Sequence, residues 1–64
     1  MVEGLRPYVA FAVDALGVAR ATYEFTSYSD DEAKKRAEGF LDAHEFIELW
    51  TDHRLVIRMK RGSE

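Results

Sequence analysis

From Ser29 to Trp50 the chain reads SDDEAKKRAEGFLDAHEFIELW, and within that stretch the apolar spacing changes from helical to alternating. Ser29 can accept an orphan amide, Glu32 can reach back three residues, and Asp30 and Asp31 stand at the positive end of a helix dipole. Ala33, Ala37, Phe40, Leu41 and His44 then form one stripe, while Lys34, Lys35, Glu38 and Asp42 fill the other sides. The spacing predicts a helix over 29–44. Gly39 costs about 1 kcal/mol against alanine inside a helix, and we read it as a close approach to a strand. After His44, Ile47 and Leu49 alternate with Phe46, Glu48 and Trp50, the period of a strand.

Downstream, Thr51-Asp52-His53 is a polar turn and Arg54 to Lys60 a further strand, which makes 46–60 a hairpin and leaves 61–64 as a polar tail. Leu55, Ile57 and Met59 fall on the side of Ile47 and Leu49, whereas Val56, Arg58 and Lys60 fall with Phe46, Glu48 and Trp50. Upstream, Tyr8 to Asp14 alternates Val9, Phe11 and Val13 with Tyr8, Ala10 and Ala12, so both sides are apolar. Asp14-Ala15-Leu16-Gly17 has the residues of a type I turn closed by a glycine at positive φ. Val18 to Thr26 then alternates Ala19, Ala21, Tyr23 and Phe25 with a wetter side of Arg20, Thr22 and Glu24, which makes 5–26 the first hairpin.

The expected fold is α+β in β-β-α-β-β order: a four-stranded, mainly antiparallel sheet with one helix packed on one face, in one domain over 1–64. Two strand orders are open. The hairpins either lie side by side through the second and third strands, which would be parallel, or are joined by another pair.

The stretch from Phe25 to Met59 resembles a group of short, uncharacterised bacterial proteins. In that group a D-D-E-A helix start leads through a Gly/Ala-His step into an E-L-W strand, followed by an R-x-[IV] strand. The matching residues are Asp30-Asp31-Glu32-Ala33, Ala43-His44, Glu48-Leu49-Trp50 and Arg54 to Ile57, and Tyr8, Phe11, Asp14 and Gly17 fit the group's first hairpin. The resemblance implies the fold and carries over no catalytic residue. The chain departs from the group at Phe46 and at Asp52-His53, where a glycine-containing turn is the usual form, so the turn type is left open.

Composition narrows the function. Sixty-four residues with nine Lys or Arg, twelve Asp or Glu and a net charge of −3 make one small, mildly acidic domain. A chain of this size has little core from which to wall a deep pocket. The hydrophobic content of 47% is too high for disorder, and no apolar run nears the roughly 18 residues of a membrane span. The chain has no cysteine, which removes disulfide and thiolate-zinc staples and fits a reducing compartment; with no basic leader ahead of an apolar core, we expect the cytoplasm.

Sites of chemistry are hard to assemble from these residues. Asp42, His44, Glu45, Asp52 and His53 surround the third strand, but the strand would hold the two histidines on the order of 17 Å apart, and there is no His-x3-His or His-x-His pair. We assign no metal and no cofactor. Ser27, Ser29 and Ser63 have no histidine with an orienting acid in their context, and the four glycines are isolated, so neither a nucleophilic triad nor a phosphate loop is present. The expectation is a protein that is not an enzyme and takes no small-molecule substrate. His44 is read as a residue interacting with the helix C-terminus.

Two surfaces remain. Arg54, Arg58, Lys60 and Arg61 concentrate basic charge in the last strand and are the candidate nucleic-acid contacts, opposed by Glu24 and Glu48 on the same face and by the acidic balance. The favoured surface is the outer face of the sheet. With the helix over Val9, Phe11, Tyr23, Phe25, Ile47, Leu49, Leu55 and Ile57, that face would carry Tyr8, Arg20, Phe46, Trp50, Val56 and Arg58, residue types common in interface hot spots. The reading is a protein-protein interaction module, homodimeric through this face. The first alternative is a small inhibitor or regulator, of mobile-element origin, that binds a larger protein machine as a monomer; the second is a nucleic-acid-binding accessory.

Overall fold

Strand β1 (Arg6–Val13) is apolar on both sides, and it lies inside the sheet with a neighbour along each edge. β2 (Ala19–Ser27) flanks it on one side, β3 (Phe46–Thr51) on the other, and β4 (Arg54–Lys60) lies beyond β3, giving the order β2-β1-β3-β4 with every pair antiparallel. The computed structural model describes residues 4–62, so Ser63 and Glu64 of the expected tail lie outside the described residues. The fold is α+β in β-β-α-β-β order. The two hairpins join through β1 and β3, antiparallel, and not through the second and third strands.

One helix, α1 (Asp30–Glu38), covers one face, and a 3-10 turn over Gly39–Asp42 continues it. Ser29 caps α1 in extended backbone geometry, its Oγ accepting the Glu32 amide at 3.2 Å. Ala33 and Ala37 of the helix and Ala10 and Ala12 of β1 are all completely buried, in one cluster with Tyr8, Ile47 and Leu49. Alanine on both surfaces lets a helix approach a sheet closely. That corrects the expected phase of β1: Tyr8, 1% exposed, is in the core beneath the helix, and Val9 and Phe11 point away from it. Both sides of β1 being apolar, alternation alone could not choose between them.

A second correction concerns β4. Leu49 pairs with Ile57 and Trp50 with Leu55, so Val56 is an extra residue in a bulge. Ile57 and Met59 pack against the core as expected, but Val56 joins them there, while Leu55 turns to the outer face and is 46% exposed. β2 has its own bulge: Ala12 pairs with Ala21 and Val13 with Ala19, leaving Arg20 as the extra residue.

The turns follow from their residues. Asp14 accepts the Leu16 and Val18 amides on Oδ1 at 2.9 and 3.0 Å, and Gly17, at φ +85°, donates to the Asp14 carbonyl. Asp52 and His53 connect β3 to β4 as a two-residue loop with φ of 48° and 65°, the left-handed pair of a type I′ turn. Gly39 is not a close approach: a side chain there would meet nothing within 4 Å, and the residue marks the change from α-helix to 3-10 turn. Among the described residues, no helix is long and apolar enough to cross a membrane.

Candidate functional site: the uncovered sheet face

The strand pairings set the side chains of the face opposite α1 in rows. One row runs Glu24, Val9, Trp50, Leu55 from β2 to β4; the next runs Thr22, Phe11, Glu48, Arg58; the third has Val13, Phe46 and Lys60, with Arg20 in the bulge beside Val13. Its centre is an apolar strip. Val9 and Phe11 of β1 lie beside Trp50 of β3, and Val13 pairs with Phe46 at the other end.

Polar groups on this face are anchored. Arg58 forms an ion pair with Glu48 at 2.9 Å, and the other oxygen of that carboxylate accepts the Trp50 indole N–H at 3.3 Å, which holds the ring against the strip. Lys60 lies over the Phe46 ring, 5.9 Å from its centroid. Arg20 donates to Asp14 at 3.1 Å. The Val18 amide first, then the Leu16 amide and the Arg20 guanidinium, hold the Asp14 carboxyl below its ordinary value. Glu24 has no ion pair among the described residues.

At the end of the face near the Asp52-His53 turn, Pro7, Val9, Phe11, Trp50 and the turn itself line an open groove of about 600 Å³. At the opposite end, the β1–β2 hairpin tip projects Leu16, 89% exposed, and Val18, 52% exposed.

Of the six expected contact residues, Arg20, Phe46, Trp50 and Arg58 are on this face, whereas Tyr8 and Val56 are packed with the core. Val9, Phe11 and Leu55 take the vacated places. The pattern that could have found them is the alanine content of the other side of β1, which matches Ala33 and Ala37 in α1.

The four basic residues do not converge. Arg54 pairs with Thr51 on the helix side and reaches Asp30 at 3.5 Å, Arg58 and Lys60 lie on the outer face, and Arg61 donates to the Asp42 carbonyl at 3.5 Å. His44 shares a 2.7 Å hydrogen bond with the Tyr23 hydroxyl, so its ring binds a neighbouring side chain in place of the helix carbonyls. Tyr23 in turn stacks on Phe40 with centroids 4.2 Å apart. Among the described residues, no group of three or more His, Asp or Glu side chains is placed to hold a metal ion.

Comparison with known proteins gives no match to a family model, a curated protein or a solved structure, so the reading of this face rests on its own residues.

Proposed function

We propose that the protein is a non-enzymatic interaction module that recognises another protein surface, first of all its own, through the sheet face opposite α1. One observation carries this reading. Val9, Phe11, Phe46 and Trp50, all half-buried, form with the buried Val13 an apolar strip on the face opposite α1, in a chain whose other large apolar side chains are largely gathered under the helix. An uncovered strip of that kind on a small domain is the usual mark of an interface.

The two sheet edges support the same choice. Both edge strands carry the extra residue of a bulge, Arg20 in β2 and Val56 in β4, and β4 is lined with Arg54, Arg58 and Lys60. Bulges and charges blunt strand-to-strand pairing, which leaves the face as the surface for association. A second copy packed there would also enlarge a core that is small for an independent fold. The cysteine-free composition suits a reducing, cytoplasmic setting.

Light scattering of the native chain and of Trp50→Arg over a range of concentrations tests the proposal. A native dimer and a folded monomeric variant are expected. A native monomer at every concentration excludes self-association and makes the face bait for a different protein; a dimer unaffected by the substitution excludes the face.

A further inference from the structure

Resting on that reading, we propose a specific arrangement for the pair: two copies stack their uncovered faces with strands antiparallel, about a two-fold axis crossing β1 and β3 at the level of Phe11 and Glu48. Each β1–β2 hairpin tip then closes the groove at the far end of the other copy's sheet.

Consider which rows would meet. With the axis at the Phe11 row, the Glu24-Val9-Trp50-Leu55 row of one copy lies over the Arg20, Val13, Phe46, Lys60 row of the other. Glu24, which has no ion pair among the described residues, comes to face the partner's Arg20. Val9 meets the partner's Val13, and Trp50 the partner's Phe46. Leu55 lies against the stem of the partner's Lys60. Phe11 meets its own copy at the axis, and beside it Glu48 faces the partner's Glu48 and Arg58 the partner's Arg58, each carboxylate already held at 2.9 Å by the Arg58 of its own chain so that the four charges sum to zero. Every contact occurs twice, as a two-fold interface requires.

The competing face-to-face arrangement places the axis along the strands. It stacks each row on itself with β2 over the partner's β4, which brings Arg20 over the partner's Lys60, Glu24 over Leu55 and the Phe11 ring over Glu48, so neither the Glu24 carboxylate nor the central aromatic ring meets a matching group. It also leaves both hairpin tips side by side and both grooves open.

Area favours the first arrangement as well. Four strands about 4.8 Å apart and seven residues of about 3.3 Å give a face of roughly 19 by 23 Å, about 440 Å² per copy, against about 800 Å² per partner in a standard interface. The face alone therefore supplies about half of a standard interface, and covering the tip adds to it. Leu16 is the most exposed large apolar side chain on the described chain and Val18 stands exposed beside it, and the groove of Pro7, Val9, Phe11 and Trp50 is the apolar recess at the level they reach.

The chain has no cysteine, so introduced thiols report distance cleanly. Thr22 is exposed on β2 at the level of the axis. In the antiparallel arrangement Thr22 lies over its own copy at the roughly 10 Å spacing of stacked sheets; with the axis along the strands it lies over the partner's Arg58. Thr22→Cys is expected to cross-link to itself with a short bis-maleimide. Leu16→Asp, at an exposed turn position, is expected to fold normally by circular dichroism and to weaken the dimer at least about tenfold.

If native dimers form and only a mixture of Thr22→Cys with Arg58→Cys cross-links, the arrangement is overturned and the face reading survives. Unchanged dimer affinity in Leu16→Asp also overturns the arrangement. A native chain that stays monomeric overturns both.

Discussion

The Tyr8 hydroxyl donates to Asp30 Oδ1 at 2.7 Å, fastening the central strand to the first turn of the helix across 22 residues of chain. Arg54 reaches the other oxygen of the same carboxylate from β4 at 3.5 Å. One aspartate thus ties together strands from both hairpins and the helix that covers them. The Tyr8 hydroxyl first, and then the Arg54 guanidinium, hold the Asp30 carboxyl below its ordinary value, while burial and the bond to Asp30 push the Tyr8 phenol up.

A pH dependence follows, with its sign set by these directions. Asp30 and Asp14 both have carboxyls lowered in the folded state, so their contributions are full above the ordinary carboxylate value near 3.9. They are lost as pH falls through the lowered folded-state values. Urea unfolding from pH 7 down to pH 2 is expected to show falling stability, and Asp14→Asn with Asp30→Asn to flatten that decline. An equally steep decline in the double variant would place the acid sensitivity elsewhere.

Removing the hydroxyl isolates the tie. Tyr8→Phe keeps the buried ring and is expected to lower stability by on the order of 1 kcal/mol at pH 7. The difference from the native chain shrinks as pH falls and Asp30 protonates. A pH-independent difference would mean that the loss arises from packing.

The alanine floor between α1 and β1 makes helix-sheet distance a measurable quantity. Ala37→Leu forces a larger side chain into a fully buried contact and is expected to cost about 1–3 kcal/mol. The exposed Lys35→Leu on the same helix should stay within about 0.5 kcal/mol. Equal effects of the two would show that the helix does not sit closely on the sheet.

The β3–β4 turn carries two non-glycine residues at positive φ. A left-handed conformation costs an L-residue roughly 1–2 kcal/mol, somewhat less for Asp. His53→Gly is therefore expected to stabilise the protein by about 1 kcal/mol in urea unfolding, since it removes strain in the folded turn. Destabilisation would show that the His53 side chain holds the turn.

Much of this architecture can be read from the residues. The Ser29-Asp30-Asp31-Glu32 start marks the helix, and the clean alternations of β2 and β3 place Tyr23, Phe25, Ile47 and Leu49 beneath it. The errors have physical causes. In β1 both alternating sets are apolar, and only the matching of small residues across the helix-sheet contact chooses Ala10 and Ala12 for the inside. In β4 the bulge at Val56 shifts every preceding residue by one position, so Leu55 and Val56 exchange faces. Nothing in the alternation of β4 alone marks that extra residue. The strand order has a readable signal after the fact: a strand apolar on both sides belongs in the interior of the sheet, and β1 is there.

Trp50 is the only tryptophan and stands on the uncovered face, so its fluorescence reports directly on whether that face is covered. Emission and acrylamide quenching should be followed by dilution across the concentration range in which light scattering shows the mass to change. Self-association through the face predicts that Trp50 emission shifts to the red and becomes easier to quench as the mass halves. A mass that halves with no change in emission or quenching would contradict it, because the copies would then be meeting through some other surface.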